Sequence, residues 1–181
     1  MKTKDRRIER TRSALRTAFN HLVLTEGYAA LTVDGIARRA DVGRSTFYMH
    51  FRSLEDLLLL SLERPSSSLA ALVRGDVAAE KLVPQLEHFR EQRRLNRVFL
   101  DTPVRDIWVK CLARLIEREL APRRLKTSLP LPMIAAHIAQ SQIALVAAWI
   151  LSWQQTKVQR IAEALVATTN ANMTALAVAR V

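Results

Sequence analysis

Five polar side chains lie within the seven residues RSTFYMH, from position 44 to position 50. The guanidinium of Arg44 can donate two parallel hydrogen bonds to the edge of a guanine, a contact that discriminates between bases. The hydroxyls of Ser45 and Thr46 suit base edges or neighbouring phosphates. Tyr48 and His50 suit phosphate oxygens, which fix the register of a protein on DNA without reading sequence. These residue types predict contact with double-stranded DNA.

A short helical pattern precedes this polar run. Its apolar residues recur on one face of a helix, as in a helix that is buried on one side; they are Val33, Ile36, Ala37 and Ala40. Thr32 is the predicted N-cap of this helix, because its hydroxyl can accept from a backbone N–H of the first turn. The same hydroxyl is a further candidate for a phosphate contact.

A tight break at Asp41 and Val42 separates this helix from the next. Aspartate is one of the few residues other than glycine that tolerates a left-handed turn conformation. The second helix begins near Gly43 and turns Phe47 and Phe51 inward, so that the polar residues between them face outward. Two short helices joined in this way are typical of a DNA-reading helix-turn-helix.

Further residues recur at fixed intervals through this region and its flanks. They are Gly27, Thr32, Ile36, Ala37, Ala40, Val42, Thr46, Tyr48, His50, Phe51, Leu57 and Leu58. At these intervals the sequence resembles the TetR family of bacterial transcriptional regulators, over about residues 7 to 63. The resemblance implies a ligand-responsive regulator, most often a repressor, which binds a palindromic operator and is released by a small apolar or aromatic effector. The alternative is a co-regulator or adaptor that acts through protein partners without specific DNA reading.

Three positions depart from the family pattern. Asp41 stands where the family usually has glycine, and Gly43 stands where it often has a capping serine. Leu54 replaces a lysine that, in many relatives, anchors the fourth helix to the DNA backbone. We therefore expect Arg44, Thr46, Tyr48 and the basic N-terminal segment to carry a larger share of the binding than in a typical relative.

The net charge of +11 indicates a polyanionic partner. The first twelve residues contain six basic and two acidic side chains; the basic residues are Lys2, Lys4, Arg6, Arg7, Arg10 and Arg12. This segment is predicted either to lie against phosphates or to be a solvated, frayed terminus. A second basic cluster alternates with Glu87 and Glu91, so that a solvated helix face is expected and a second nucleic-acid surface is the alternative; it comprises Arg90, Arg93, Arg94 and Arg97.

Composition favours an all-α fold, because 4 Gly and 6 Pro among 181 residues provide few turn signals. The sequence also contains no alternating apolar and polar pattern of the kind that predicts a β-strand. The fourth helix is predicted to open with the capping pair Ser53 and Asp56 and to end at Pro65. The expected architecture is a three-helix helix-turn-helix DNA-binding domain over 1–64, joined to a helical-bundle ligand-binding and dimerisation domain over 65–181. Beyond the boundary, helices are predicted near 67–74, 79–98, 103–121, 132–155 and 158–179.

Several classes of function are excluded by pattern. The four His residues form no metal-ligand spacing, and the sequence contains no nucleophile elbow and no glycine-rich phosphate loop, so that neither an enzyme nor a metal or cofactor is expected.

The single Cys111 excludes an internal disulfide and fits a reducing cytoplasm; a buried side chain is expected there, with a redox sensor as the alternative. No secretory signal pattern is visible, and a cytoplasmic protein is expected. The uncharged run 127–156 is long enough to span a membrane, but its prolines and glutamines favour a helix buried in protein.

The family resemblance implies an effector pocket in the second domain. Candidate lining residues are aromatic or apolar, with a single histidine: Phe89, Phe99, Trp108, Leu112, Met133, His137, Trp149 and Trp153. Such a lining would suit an apolar or aromatic ligand. The alternative is that these residues only build the core.

The last two helices are long enough to pair with the same two helices of a second subunit. Their apolar and small residues form stripes suited to close helix packing, namely Ile138, Leu145, Ala148, Ser152, Ile161, Leu165, Thr168 and Leu176. We therefore expect a homodimer, which would present two reading helices about 34 to 36 Å apart. The alternative is that the stripes close the core of a monomer.

Overall fold

The computed structural model describes residues 2–123, 125–152 and 156–176, with side chains from Arg6 onward. Over these ranges it contains nine α-helices and no β-strand, which confirms the all-α prediction. The chain divides into two compact units, Met1–Glu63 and Arg64–Val181.

Four helices begin in the first unit: α1 (Lys2–Glu26), α2 (Val33–Arg39), α3 (Arg44–His50) and α4 (Leu54–Ala71). Gly27 ends α1 with a φ of 79°, in the region that favours glycine. The core of the unit forms where α1 packs on α2 and α2 packs on α3; it contains Leu15, Ala18, Phe19, Val23, Ile36, Ala37, Phe47, Phe51, Leu57, Leu58 and Leu62. The short α2 and α3 therefore depend on tertiary packing, since isolated helices of this length are not stable in water.

The second unit contains five further helices. They are α5 (Val83–Glu91), α6 (Arg93–Phe99), α7 (Val104–Leu120), α8 (Leu131–Leu151) and α9 (Val158–Leu176). α7 packs along α8, and α8 packs against α9. The buried polar residue Gln142 ties this core together, because its side-chain amide donates to Leu69 O at 3.2 Å and to Thr169 Oγ1 at 3.0 Å.

The prediction that α4 ends at Pro65 is wrong, since the helix continues to Ala71. A proline inside a helix removes one backbone hydrogen bond and costs roughly 3 kcal/mol. Burial on the following turns offsets this cost, because Leu69 and Ala70 are both buried. In addition, Trp108 Nε1 donates to Ser66 Oγ at 3.0 Å in the interior. The serine-rich stretch that resembles a linker is therefore helical.

The single helix predicted over 79–98 is also wrong. A short 3₁₀ turn covers Ala79–Leu82, and the helical conformation is then interrupted at Gln92, between α5 and α6. Asn96 explains why the break is tolerated. Its buried side-chain amide donates to Phe89 O at 2.7 Å, which gives a partner to a carbonyl in the last turn of α5.

Within the described residues, one helix is long and apolar enough to cross a membrane by length and composition. This helix is α8, with a mean hydropathy of 1.6. More than half of it is buried in the second unit, including Ile138, Ala139 and Ile143. Such burial is the behaviour expected of a core helix in a folded domain.

Candidate functional site

Thr32 caps α2 as predicted. Its Oγ1 accepts from the backbone N–H of Gly35 at 3.1 Å, while Asp34 places a carboxylate in the first turn. That negative charge is favourable at the positive end of the helix dipole. The Thr32 side chain stays exposed, so its hydroxyl hydrogen remains available for an external acceptor such as a phosphate.

Gly35 has a role that sequence patterns do not reveal. A Cβ at this position would lie 3.2 Å from the capping oxygen of Thr32, closer than Cβ contacts normally come. A glycine interior to a helix costs about 1 kcal/mol relative to alanine, which is comparable to what one N-cap contributes. Gly35 therefore leaves room for the cap that begins α2.

The break between α2 and α3 is a Schellman turn. Asp41 adopts a φ of 54°, and among the described residues it is the one non-glycine with a positive φ. The N–H of Val42 bonds to Ala37 O at 3.0 Å, and the N–H of Asp41 bonds to Arg38 O at 3.2 Å, which satisfies two of the last carbonyls of α2. The predicted left-handed turn at Asp41 is thus confirmed.

Phe47 anchors α3, with a side chain that is completely buried. Phe51 lies beside it, with ring centroids 5.7 Å apart. Burial of this face leaves the other side of a seven-residue helix in solvent, including Ser45 and Met49, the latter 80% exposed. The predicted inward position of Phe47 and Phe51 is confirmed, and Arg44, Ser45 and Met49 of the predicted outward face are exposed.

The proposed contact residues of α3 differ in how far they are exposed. Arg44, Ser45 and Tyr48 are exposed, whereas Thr46 and His50 are half-buried. Thr46 and His50 therefore lie at the edges of the outward surface rather than at its centre. The structure holds all five residues on one short helix, which is the condition for a common binding surface.

Arg44 is held by two neighbours. Its Nη1 donates to Asp34 Oδ2 at 3.2 Å, and its guanidinium carbon lies 5.7 Å from the centre of the Tyr48 ring. A hydrogen bond with Tyr48, and then the negative charge of Asp34, raise the pKa of Arg44 above its ordinary value. The side chain is charged at every physiological pH, as arginine normally is.

The start of α4 carries the predicted capping box. The backbone N–H of Asp56 donates to Ser53 Oγ at 3.2 Å, and the N–H of Arg52 donates to Asp56 Oδ2 at 2.9 Å. Asp56 thus accepts from the residue before the N-cap Ser53, and the two bonds together fix where α4 begins. Leu54, at the position where many relatives carry a lysine, supplies no charge at this end of α4.

The basic N-terminal segment is helical from Lys2, as part of α1. Arg6, Arg7 and Arg10 are exposed, and the side chains of the residues before Arg6 lie outside the described part of the chain. Arg12 has a structural contact, because its guanidinium carbon lies 5.3 Å from the centre of the Phe51 ring. The exposed arginines therefore form a charged face of α1 rather than an extended arm.

A small apolar cavity lies in the second unit. It is lined by Pro65, Ser68, Leu69, Leu82, Gln85, Leu86, Phe89, Trp108 and Val146. The cavity has room for about one water molecule, since the volume in which the centre of a water can lie is about 20 Å³. Its polar contribution is a single pair, in which Ser68 Oγ and Gln85 Oε1 are 2.8 Å apart.

The sequence-based pocket candidates are only partly brought together. Of the eight, Phe89 and Trp108 line the cavity, with ring centroids 5.6 Å apart. The placement of Met133 and His137 is corrected, since both side chains are exposed on α8. Three others, Phe99, Leu112 and Trp149, are buried without lining this cavity, and Trp153 lies outside the described residues.

Sequence reasoning missed the contribution of α4 and α5 to the cavity. Ser68 and Gln85 carry no signal on their own, because serine and glutamine are usually surface residues. Four of the eight pocket candidates come from the uncharged stretch 127–156, where α8 is apolar on most sides and periodicity cannot select the inward face. A search of the described residues finds no group of His, Cys, Asp and Glu side chains that could hold a metal ion.

The candidates for a dimer surface also separate into two groups. Ile138, Ile161 and Leu165 pack inside the second unit, and this corrects their assignment to a surface stripe. Ala148 and Thr168 are exposed, and three others are half-buried, namely Leu145, Ser152 and Leu176. The exposed and half-buried residues are the ones that a second subunit could reach.

The first unit has the helix arrangement of a helix-turn-helix domain. Residues 20–60 match the family model of the bacterial regulatory proteins of the tetR family. A TetR transcriptional regulator from Streptococcus agalactiae 2603V is similar in structure over 92% of this chain and 97% of its own, with 28% identity and a TM-score of 0.58. Residues 20–60 therefore match the DNA-binding region of the TetR family, and the fold over most of the chain is similar to that of TetR transcriptional regulators.

Two other relatives set the limits of this similarity. An uncharacterised HTH-type transcriptional regulator of Bacillus subtilis, YxbF, is 38% identical over 66 residues, which are 36% of this chain and 17% of the relative's length. The FadR repressor of Thermus thermophilus, solved with lauroyl-CoA, shares the fold at 20% identity and a TM-score of 0.54, over 90% of this chain and 94% of its own. Members of this family are regulators and not enzymes, which confirms that expectation.

The turn at Asp41 yields a stability prediction. Replacing Asp41 by Ala should lower the free energy of unfolding of the first unit by roughly 1 to 2 kcal/mol, the cost of a left-handed conformation for an ordinary residue. Asp41→Asn and Asp41→Gly should stay within about 0.5 kcal/mol of the parent, since both residues accept this conformation. Urea unfolding followed by circular dichroism measures all three. Equal stabilities of the Ala and Asn variants would contradict the assigned turn.

Proposed function

We propose that this protein is a cytoplasmic repressor of transcription. It binds a palindromic DNA operator as a homodimer. The observation that carries the proposal is the outward face of α3, which Phe47 fixes and which presents Arg44, Ser45 and Tyr48 to solvent. A recognition helix with exposed polar residues at its start is how helix-turn-helix proteins reach base edges in the major groove. In this scheme, residues 1–64 bind DNA and residues 65–181 bind effector and partner subunit.

Each residue of the surface has a role that follows from its chemistry. Arg44 reads guanine with two hydrogen bonds, and Ser45 and Thr46 contact bases or adjacent phosphates. Thr32, Tyr48 and His50 donate to phosphate oxygens and so fix the register. The half-buried positions of Thr46 and His50 suit phosphate contact at the groove edge more than base reading.

The proposal predicts distinct effects of two substitutions in a gel-shift experiment with DNA flanking the protein's own gene. Arg44→Ala should cost roughly 1 to 3 kcal/mol of discrimination at one base pair of each half-site. Tyr48→Ala should weaken binding to all sequences alike, because a phosphate contact carries no sequence information. The control is Gln92→Glu, at an exposed position in the α5–α6 break of the second unit. A wild-type protein with no sequence preference at moderate salt would support the adaptor alternative and contradict operator binding.

We further propose that a small apolar or aromatic effector binds by enlarging the cavity of the second unit. The present cavity is much smaller than the roughly 300 to 1,000 Å³ of ordinary ligand pockets. Binding therefore selects a minor, opened state of the protein. Pro65, Ser68 and Leu69 of α4 line the cavity, so that opening it displaces part of α4. We expect this displacement to change the spacing of the two α3 helices and thereby release DNA.

This effector model predicts a ligand-dependent rise in the Tm of the wild-type protein. At 100 times its Kd, a ligand stabilises the bound state by about 2.7 kcal/mol, which corresponds to several degrees. Leu86→Phe, which fills the cavity, should abolish the shift, whereas Leu95→Phe, at a buried position elsewhere, should retain it. An unchanged Tm across a broad set of apolar and aromatic compounds would count against an effector site here.

The dimer that we propose uses the outer sides of α8 and α9. The exposed residues of α8 include no charged side chain over its whole length, and on α9 none occurs from position 164 to the end of the helix. Three of the exposed residues of α8 are alanines and two are polar; the full set is Pro132, Met133, Ala136, His137, Gln140, Ala144, Ala148 and Leu151. Small residues allow two helices to approach closely. A second copy of this chain is the partner that two-fold operator recognition requires.

Light scattering tests the dimer directly. The wild type should show twice the monomer mass of 20.5 kDa at micromolar concentration. Ala148→Glu should convert it to a monomer, because a buried unpaired carboxylate costs several kcal/mol and weakens association by more than about 100-fold. The exposed substitution Gln92→Glu should leave the dimer intact. A monomeric wild type would sink this part of the proposal.

A further inference from the structure

Asp34 and Arg44 form an ion pair that links the two helices of the reading motif. The pair joins the first turn of α2 to the first residue of α3, with 3.2 Å between Asp34 Oδ2 and Arg44 Nη1. Both side chains are largely exposed, at 56% and 63% respectively. An exposed pair of this kind contributes little to folding stability, so its consequence has to be sought in the position of the guanidinium.

The position of Arg44 at the start of α3 favours a nearby carboxylate. A cation is unfavourable at the positive end of a helix dipole, and α3 has no acidic residue in its own first turn. Asp34 supplies the missing negative charge from the neighbouring helix. The carboxylate therefore holds the arginine where α3 alone would repel it.

A second contact limits the guanidinium on the side of Tyr48. The guanidinium carbon lies 5.7 Å from the centre of the Tyr48 ring, one helical turn along α3. Arginine is planar and stacks on aromatic faces, and in this pair it still has donors beyond the one bound to Asp34. A guanidinium held by both neighbours loses less side-chain freedom on meeting a guanine than a freely rotating one does.

We propose that Asp34 is a positioning residue for base selectivity, which orients Arg44 toward guanine and does not itself contact DNA. This inference rests on the proposed function, since it presupposes that Arg44 reads a base. The carboxylate of Asp34 has two separate effects, one on binding to any DNA and one on the orientation of Arg44. Near DNA, any negative charge weakens binding to all sequences, whereas orientation of Arg44 favours only sites with guanine at the position that Arg44 reads.

The test compares Asp34→Asn with a matched loss of charge, Asp41→Asn. Asp41 lies in the turn of the same motif, and asparagine accepts its left-handed conformation. The affinities of both variants, of Arg44→Ala and of Asp34→Asn/Arg44→Ala are measured on DNA selected by the wild type from a random pool. Each protein is measured on the selected sequence and on its single-base variants. Thermal melting confirms that every variant is folded.

Asp34→Asn should lower discrimination roughly 2- to 5-fold, the size of an exposed ion pair. The loss should fall on the base pair at which Arg44→Ala also loses discrimination, and it should vanish in the Arg44→Ala background. Asp41→Asn should tighten binding to all sequences alike and leave discrimination unchanged. Asp34→Glu, which keeps a carboxylate at the α2 N-terminus but moves it, should melt like the parent and still lose part of the discrimination.

Other outcomes overturn the inference in distinguishable ways. If Asp34→Asn behaves like Asp41→Asn, the carboxylate acts only by repulsion. If its effect persists in the Arg44→Ala background, Asp34 does not act through Arg44. If the wild type selects a motif but Arg44→Ala leaves its base preference unchanged, the positioning role fails while DNA binding stands. If the wild type selects no motif at all, the proposed function fails together with this inference.

Discussion

The burial of Phe47 is the constraint on which the exposed polar face of α3 depends. A helix of seven residues has only about two turns, so one fully buried side chain determines its rotation about its own axis. With Phe47 inward, Ser45 and Met49 point away from the core, while Arg44 and Tyr48 share one flank that faces the start of α2. In this rotation Arg44 Nη1 lies 3.2 Å from Asp34 Oδ2. A single apolar contact thus sets both which residues face solvent and which neighbour holds the arginine.

Local backbone chemistry fixes the helix that α3 rests on. α2 begins where the Thr32 hydroxyl accepts from Gly35, and it ends where Asp41 enters the left-handed region. Both ends use side chains or conformations that only a few residue types provide. The absence of a Cβ at Gly35 gives the capping oxygen its space, so the cost of a glycine in the helix is linked to the benefit of the cap. The motif is therefore defined by its ends as much as by its apolar face.

These local signals explain which features could be predicted from the sequence. Caps and left-handed turns depend on residues within five positions, so Thr32, Asp41 and the Ser53–Asp56 box were all readable. The continuation of α4 through Pro65 is not predictable from local sequence, because the helix-breaking cost of proline is local, whereas the burial and the Trp108 hydrogen bond that offset it come from elsewhere in the fold. The face of α8 that turns inward was equally hidden, since this helix has no charged side to mark the solvent. As a result, the sequence does not show that Ile138 is buried within the second unit or that Met133 is exposed and does not line the cavity.

We propose that α3 of each subunit reads one half of a symmetric site. Selection of DNA from a random pool by the wild-type protein, followed by sequencing, is the decisive measurement. We expect an enriched palindrome whose half-sites are about 10 bp apart, with centres roughly 34 to 36 Å from each other. We also expect a guanine preference in each half-site that is lost when Arg44 is replaced. A pool that remains random at moderate salt would rule out the reading of a symmetric site by α3.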